Sequence, residues 1–303
     1  MIEVLCNICG ADDWQVRFPA TMTPDAHLEV DAIRCTSPEY GQHAQIVTCQ
    51  RCGHIYANPR WESHELLQTY AAVEDETYVQ ERVGRELTFE RHLQKLESIT
   101  GPAGNRTLLD VGAYIGVFVE VASRAGWQAL GVEPSTWAVE VARQRDLCVL
   151  EGTQEHPELD GRQFDVVTMW DVIEHVADPK RELQLAYERL KPGGVLAVHT
   201  MNVDSLFARL MGPRWPWLMS MHIHYFSRAS LAGLLRACGY EILFNGIQGR
   251  YLSLGYLASR VEALSKPVGG VIRPVVSTLG LANLPIPINT FDLFTIFARK
   301  PRN

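Results

Sequence analysis

The sequence predicts an α/β fold, a doubly wound sheet with helices on both faces, preceded by a small separate module. From Arg106 onward, short apolar runs alternate with amphipathic segments at the spacing of strand–helix units, the signature of a parallel sheet. Ahead of that, four of the seven cysteines fall into two CxxCG pairs, Cys6/Cys9 in CNICG and Cys49/Cys52 in CQRCGH. An odd cysteine total does not suit a disulfide framework. At 303 residues, 47% hydrophobic and 21% charged, the chain is long enough for one large domain and a small one.

Residues 1–60 are read as the cysteine module. A two-residue spacer lets both thiolates of a pair face one ion, and the glycine after it permits the tight turn. The two knuckles together supply the four sulfurs of a closed, tetrahedral Zn²⁺ site of the zinc-ribbon kind. With no coordination position open, this zinc is expected to be structural. Cys35 is the rival ligand. Arg17, Arg34, Arg51 and Arg60 are outnumbered by Glu3, Asp12, Asp13, Asp25, Glu29, Asp31 and Glu39, and the whole chain carries −7. No nucleic-acid partner is expected.

Residues 61–100 read as a helical connector, with Leu66, Leu67 and Tyr70, then Leu87, Leu93 and Leu96 as its apolar positions. The turn 101–104 closes it. The domain 101–303 follows, with strands at RTLLDV, WQALGVE, LCVL, FDVVTMW, PGGVLAVHT, YEILFN and FDLFTIFA. Helices fall at VFVEVASRAG, TWAVEVARQR behind a Ser135 cap, ELQLAYERL, and SLAGLLRACG with Gly239 as its C′ residue. Cys148 and Cys238 lie in apolar patterns and are expected to be buried thiols.

Ligands of such sheets bind at the carboxyl ends of the strands. The first strand runs into Asp110-Val-Gly112-Ala-Tyr114-Ile-Gly116, a glycine-bearing turn that lets backbone approach a ligand. The second strand ends at Glu133, where a carboxylate can accept both hydroxyls of a ribose. That layout suits any Rossmann-like nucleotide site, NAD included. The dinucleotide pattern GxGxxG is not met, because Tyr114 stands two residues after Gly112.

LLDVGAYIGVF resembles motif I of class I S-adenosylmethionine-dependent methyltransferases, and GVEPS their acidic second motif. FDVVTMWDVIEHVADPKRELQLAYERLKPGGVLAVHTMN is similar to their fourth-to-fifth-strand block. The cysteine knuckles and HIHYFSRASLAGLLRACGY are similar to a bacterial subset with an N-terminal zinc module, often acting on sugars or biosynthetic intermediates. The resemblance implies a seven-stranded sheet with an antiparallel last strand, and S-adenosyl-L-methionine as cofactor. Asp110, Gly112 and Gly116 would cradle its methionine portion, with Tyr114 lining that arm. Glu133 would hold the ribose, and Gly152 to Gln154, with Thr153, would lie by the adenine. Asp171 would flank the junction of cofactor and acceptor.

Methyl transfer from a sulfonium is an in-line displacement, so orientation dominates. A hydroxyl acceptor gains from a base near its proton, and His175, His222 and His224 are the candidates. The spacing Asp171-x-x-Glu174-His175 followed by a distant histidine also resembles the Mg²⁺ site of small-RNA terminal methyltransferases and ubiquinone-pathway O-methyltransferases. A cation there would bind acceptor oxygens. The expected activity is O-methylation of a small molecule or carbohydrate intermediate. C- or N-methylation of a nucleotide- or lipid-linked sugar, and a catalytically dead zinc-bearing module, are the alternatives.

Between the last two strands, 249–289 is an apolar insert holding one acid, Glu262, beside Arg250, Arg260, Lys266 and Arg273. It reads as an acceptor-site lid, a peripheral membrane contact, a dimer contact or a plain extension of the core. No signal peptide or spanning segment is read, which suggests a cytoplasmic protein.

Overall fold

The computed structural model describes residues 1–23, 30–37 and 40–302. Of the acids weighed above, Asp25, Glu29 and Glu39 lie outside the described residues. Strands β1 (Trp14–Phe18), β2 (Ile46–Cys49) and β3 (Ile55–Ala57) form an antiparallel sheet. Helices α1 (Ser63–Ala71), α2 (Glu76–Gln80) and α3 (Arg82–Thr100) follow. The single helical stretch expected over 62–99 is thus broken. Asp75 stops it by accepting from the Tyr78 N–H as the α2 cap, and its oxygens also take the Thr36 N–H and hydroxyl.

The alternating units come next: β4 (Thr107–Val111), α4 (Val117–Arg124), β5 (Gln128–Glu133), α5 (Thr136–Arg143), β6 (Val149–Glu151), β7 (Phe164–Trp170), α6 (Pro179–Arg189) and β8 (Leu190–Met201). Ser135 caps α5 as expected. A short α7 (Leu206–Met211) and the two-residue β9 (His224–Tyr225) precede α8 (Arg228–Ala237) and β10 (Glu241–Ile247). The insert holds β11 (Arg250–Ser253), α9 (Leu254–Leu264), α10 (Lys266–Thr278) and β12 (Pro285–Ile288), and β13 (Leu293–Arg299) ends the fold.

The main sheet has seven strands in the order β10-β13-β8-β7-β4-β5-β6. The β4, β5, β6, β7 and β8 pairings are parallel, and β13 runs antiparallel to both neighbours. One face packs Leu109, Val167, Leu196 and Ile296 against α6 and α8. The other packs Leu108, Val166 and Phe297 against Leu93 and Leu96 of α3 and Phe118 of α4. The strands are parallel and their order switches sides at β4, which puts the carboxyl ends of β4, β5 and β7 along one edge, where ligands bind in such sheets.

β9 joins the N-terminal sheet by pairing with β3, so a segment far along the chain completes the cysteine module. In the insert, β11 and β12 pair antiparallel. The insert leans on α3, where the Tyr251 N–H donates to Thr88 Oγ1 at 2.8 Å and the Ser253 N–H to Glu81 at 3.1 Å. Cys148 is exposed and Cys238 half-buried, against the expectation of two core thiols. Val149, the residue after Cys148, is the one that turns inward on this short edge strand.

Candidate active site

At the β4 edge, Gly112 and Gly116 have φ of +70° and +73°, the left-handed region that disfavours side chains. A Cβ on Gly112 would stand 2.6 Å from Val172. Tyr114, the departure from the glycine pattern, takes φ +48° and so keeps the turn shape with a side chain attached. Its N–H donates to Glu133 Oε2 at 2.9 Å, while the Ser135 N–H donates to Glu133 Oε1 at 2.8 Å. Glu133 therefore points into the turn, and burial pushes its carboxyl up to about 7.

The Gly152 N–H donates to the Glu133 carbonyl at 2.9 Å, which brings the Gly152–Thr153 loop to the same edge. Asp110 is buried and accepts from the Thr168 hydroxyl at 2.6 Å; burial raises its carboxyl to about 8. The Tyr114 hydroxyl and Gln154 Oε1 are buried without partners. Tyr78 of α2 meets the Tyr114 ring edge-on at 4.4 Å and covers the turn. Glycine turn, inward carboxylate and unpaired polar atoms together fit a nucleoside ligand.

At the β7 edge, Asp171 has φ +54°. Its oxygens stand 3.5 Å from Arg250 and 3.8 Å from His199. Glu174, His175 and His222 place one ligand atom each within 4.8 Å of one another. His175 Nδ1 lies 2.9 Å from the Met221 carbonyl and His222 Nδ1 2.8 Å from the Trp217 carbonyl. With each Nδ1 donating to its carbonyl, each Nε2 presents a lone pair. Burial lowers both imidazoles, His222 to about 3, so both are neutral. Glu174 Oε2 is buried without a partner.

His224, named with His222 as a candidate, lies elsewhere. Its Nδ1 is 2.9 Å from His54 Nε2 and its Nε2 3.5 Å from Arg60, beside the cysteine module. The structure brings Asp171, His175 and His222 toward one edge and leaves His224 at another interface.

The methyltransferase-domain family matches residues 77–244, more than half of the chain. The chain belongs to that family. It is an S-adenosylmethionine-dependent methyltransferase. The methyltransferase is 33% identical over 211 residues to a ubiquinone biosynthesis O-methyltransferase of Cereibacter sphaeroides, covering 61% of this chain and 83% of that one. It is 37% identical over 119 residues to the Paramagnetospirillum magneticum protein of the same name, covering 38% and 48%. Among solved structures, a putative methyltransferase from Bacillus halodurans superposes with a TM-score of 0.50 at 15% identity, over 69% of this chain and 98% of that one. That likeness bears on the fold alone.

In the methyltransferase's N-terminal module, Cys6 and Cys52 sulfurs are 3.5 Å apart, Cys9 and Cys49 3.6 Å, and all four lie within 4.8 Å of one another. Zn–S bonds of about 2.3 Å imply S···S edges of about 3.8 Å, so the cluster has the size of a zinc tetrahedron. Cys35 is not part of it. Its chain neighbour Thr36 is instead tied to Asp75 at the start of α2.

Sequence reasoning missed Tyr78, whose ring meets Tyr114, Arg85, which stacks on Tyr78, and Trp217, whose ring lies 5.9 Å from that of His222. Arg85 and Tyr78 were hidden in a stretch that reads as plain charged helix. Arg250 was noted only for charge, although its place at the start of the insert was a usable signal.

Proposed function

We propose that the methyltransferase places its methyl group on a hydroxyl oxygen of a small-molecule acceptor held at the β7 edge. The observation that carries this is the convergence of Glu174, His175 and His222, two neutral imidazoles locked by carbonyls beside an unpaired buried carboxylate. This mixed oxygen and nitrogen set suits a divalent cation such as Mg²⁺, and the D-x-x-E-H resemblance points the same way. A cation held there would bind acceptor oxygens and lower a hydroxyl pKa. The names of the O-methyltransferase relatives support an oxygen acceptor.

S-adenosyl-L-methionine supplies an activated methyl group for in-line displacement. In this reading Glu133 accepts from its ribose, and the Gly112–Gly116 turn, with Tyr114, lines its methionine arm. Gly152 and Thr153 flank its adenine. Asp110, tied to Thr168, steadies the turn, and Asp171 borders the junction with the acceptor. Cys6, Cys9, Cys49 and Cys52 hold a structural Zn²⁺.

The insert serves two sides. Its inner side brings Arg250 to Asp171. Its outer side carries Val268, Val271 and Val275 of α10 and Leu279 just past its end, at helical spacing and all exposed, in a segment with one acid. Such a stripe suits a peripheral membrane contact. Among the described residues no helix is long and apolar enough to cross a membrane.

The test is methyl transfer from labelled cofactor to catechol and 3,4-dihydroxybenzoate after EDTA treatment, with and without added Mg²⁺. Mg²⁺-restored O-methylation supports the reading. Transfer indifferent to EDTA would remove the cation.

A further inference from the structure

His224 reads from the sequence as a site residue, yet it lies outside the acceptor edge. With Arg60 it ties the cysteine module to that edge. Two chain segments carry the Glu174–His175–His222 cluster: the loop 174–177 after β7 and the stretch 219–225 that ends in β9. They hold each other. The Glu174 carbonyl accepts from the Ile223 N–H at 3.0 Å and from the His224 N–H at 3.1 Å. His175 Nδ1 meets the Met221 carbonyl at 2.9 Å, and the His175 and His222 rings stand 4.8 Å apart.

The backing for both segments comes from the N-terminal module. β3 pairs with β9 through Ile55–Tyr225 and Tyr56–His224, and the Ala57 N–H donates to the Ile223 carbonyl at 2.9 Å. Arg60 belongs to the module by its backbone, which exchanges hydrogen bonds of 2.7 and 2.9 Å with Ile2. Its side chain leaves the module. Nη2 donates to the Ala177 carbonyl at 2.8 Å, and Nη1 stands 3.5 Å from His224 Nε2. A guanidinium can only donate, so His224 Nε2 accepts and its proton sits on Nδ1. That proton goes to His54 Nε2 at 2.9 Å, which sets a one-way chain from Arg60 through His224 to His54.

Packing alone does not call for this set. Arg60, His224 and His54 are each at most 5% exposed, and Arg60 Nε and His54 Nδ1 are buried without hydrogen bonds. An apolar residue of similar volume would fill the Arg60 space without the desolvation cost of a buried cation. It could not hold the Ala177 carbonyl and the His224 ring at once. Outer partners of this kind orient the groups one step further in, and losing one costs metal sites about 10–100-fold in affinity.

We infer that Arg60 and His224 are positioning residues for the acceptor edge, through which the cysteine module holds Glu174, His175 and His222 in place. The module is then a working part of the active site and not a separate appendage. The inference rests on the cation reading above and names what keeps that site in shape.

The test uses the full chain saturated with S-adenosylhomocysteine, as wild type, Arg60→Met and Arg60→Lys. Electron paramagnetic resonance reads Mn²⁺ affinity. Without metal, nitrogen NMR of histidine-labelled chain reads the tautomers of His175 and His222, assigned through His175→Gln and His222→Gln. Arg60→Met should bind Mn²⁺ about 10–100-fold more weakly and lose the single Nδ1-protonated form of both rings. Its affinity for S-adenosylhomocysteine, by calorimetry, should stay within about twofold of wild type. Arg60→Lys, which can still donate to the Ala177 carbonyl, should recover most of the Mn²⁺ affinity and the ring signals. If Arg60→Met does not fold, His224→Phe carries the same expectation. Ring signals and Mn²⁺ affinity intact in Arg60→Met would refute the positioning role and leave the cation standing. Cofactor affinity lost in parallel with Mn²⁺ would overturn the positioning role as well. Altered rings in Arg60→Met, where wild type binds no Mn²⁺, would refute the cation reading and leave the positioning role standing.

Discussion

Replacing Glu133 with alanine acts on fold and cofactor in amounts that can be separated. Two buried N–H groups, those of Tyr114 and Ser135, lose the carboxylate that accepts them. A buried donor left unpaired costs about 1–3 kcal/mol, so the variant should lose roughly 2–6 kcal/mol of stability. That fits within the roughly 5–15 kcal/mol typical of a folded protein, so the chain should stay folded. The cofactor loss adds to this. If both ribose hydroxyls donate to this carboxylate, each bond to a charged acceptor is worth about 1.5–3 kcal/mol, and affinity should drop roughly 10²–10⁴-fold. Urea unfolding reads the first quantity and calorimetry with S-adenosylhomocysteine the second. A folded Glu133→Ala protein that binds S-adenosylhomocysteine within twofold of wild type would take Glu133 away from the ribose.

Stability should fall as pH rises from 7 to 8.5, above the range in which the imidazoles that burial keeps neutral, His175 and His222 among them, lose their protons in the unfolded chain. Glu133 is raised from 4.5 to about 7 and Asp110 from 3.8 to about 8, so the folded chain holds protons the unfolded chain has released. Their contribution is complete below about pH 4 and lost as pH passes through the folded values, with Glu133 alone worth about 3 kcal/mol at most. Urea midpoints at both pH values check this, and a midpoint that climbs with pH would contradict it; Asp110→Asn should flatten the slope. Cys49→Ser should lose bound zinc by elemental analysis and lower the unfolding temperature, whereas undiminished zinc would reject the four-sulfur centre. Val271→Asp, at a position 66% exposed, should abolish co-sedimentation with phosphatidylglycerol vesicles while leaving the unfolding midpoint in place; unchanged co-sedimentation would free α10 from the membrane.

The strand–helix alternation was legible because each core strand is an apolar run and each covering helix keeps its apolar residues on one face. The glycine turn and Glu133 were legible because their spacing is set by backbone geometry at the sheet edge. Tyr114 was less so: the sequence reads as a broken glycine pattern, yet the residue adopts the left-handed turn, held by the Glu133 carboxylate. Choosing between His222 and His224 needed the tertiary structure. They are two residues apart, but β9 pairs with β3 and commits His224 to His54, while a turn at Met219 sends His222 to Glu174. Cys35 looked like a zinc ligand by proximity in sequence, yet it stands outside the four-sulfur cluster, beside a Thr36 tied to Asp75. The contact between α3 and the insert joins segments some 160 residues apart, which no local pattern announces.

The most direct measurement is a Mn²⁺ titration followed by electron paramagnetic resonance, on EDTA-treated wild type and on Glu174→Gln. One bound Mn²⁺ per chain in wild type, lost in the variant and displaced by Mg²⁺, is the predicted result. A wild-type chain that binds no Mn²⁺, or a variant that binds it equally well, would contradict the account of how this methyltransferase holds its acceptor.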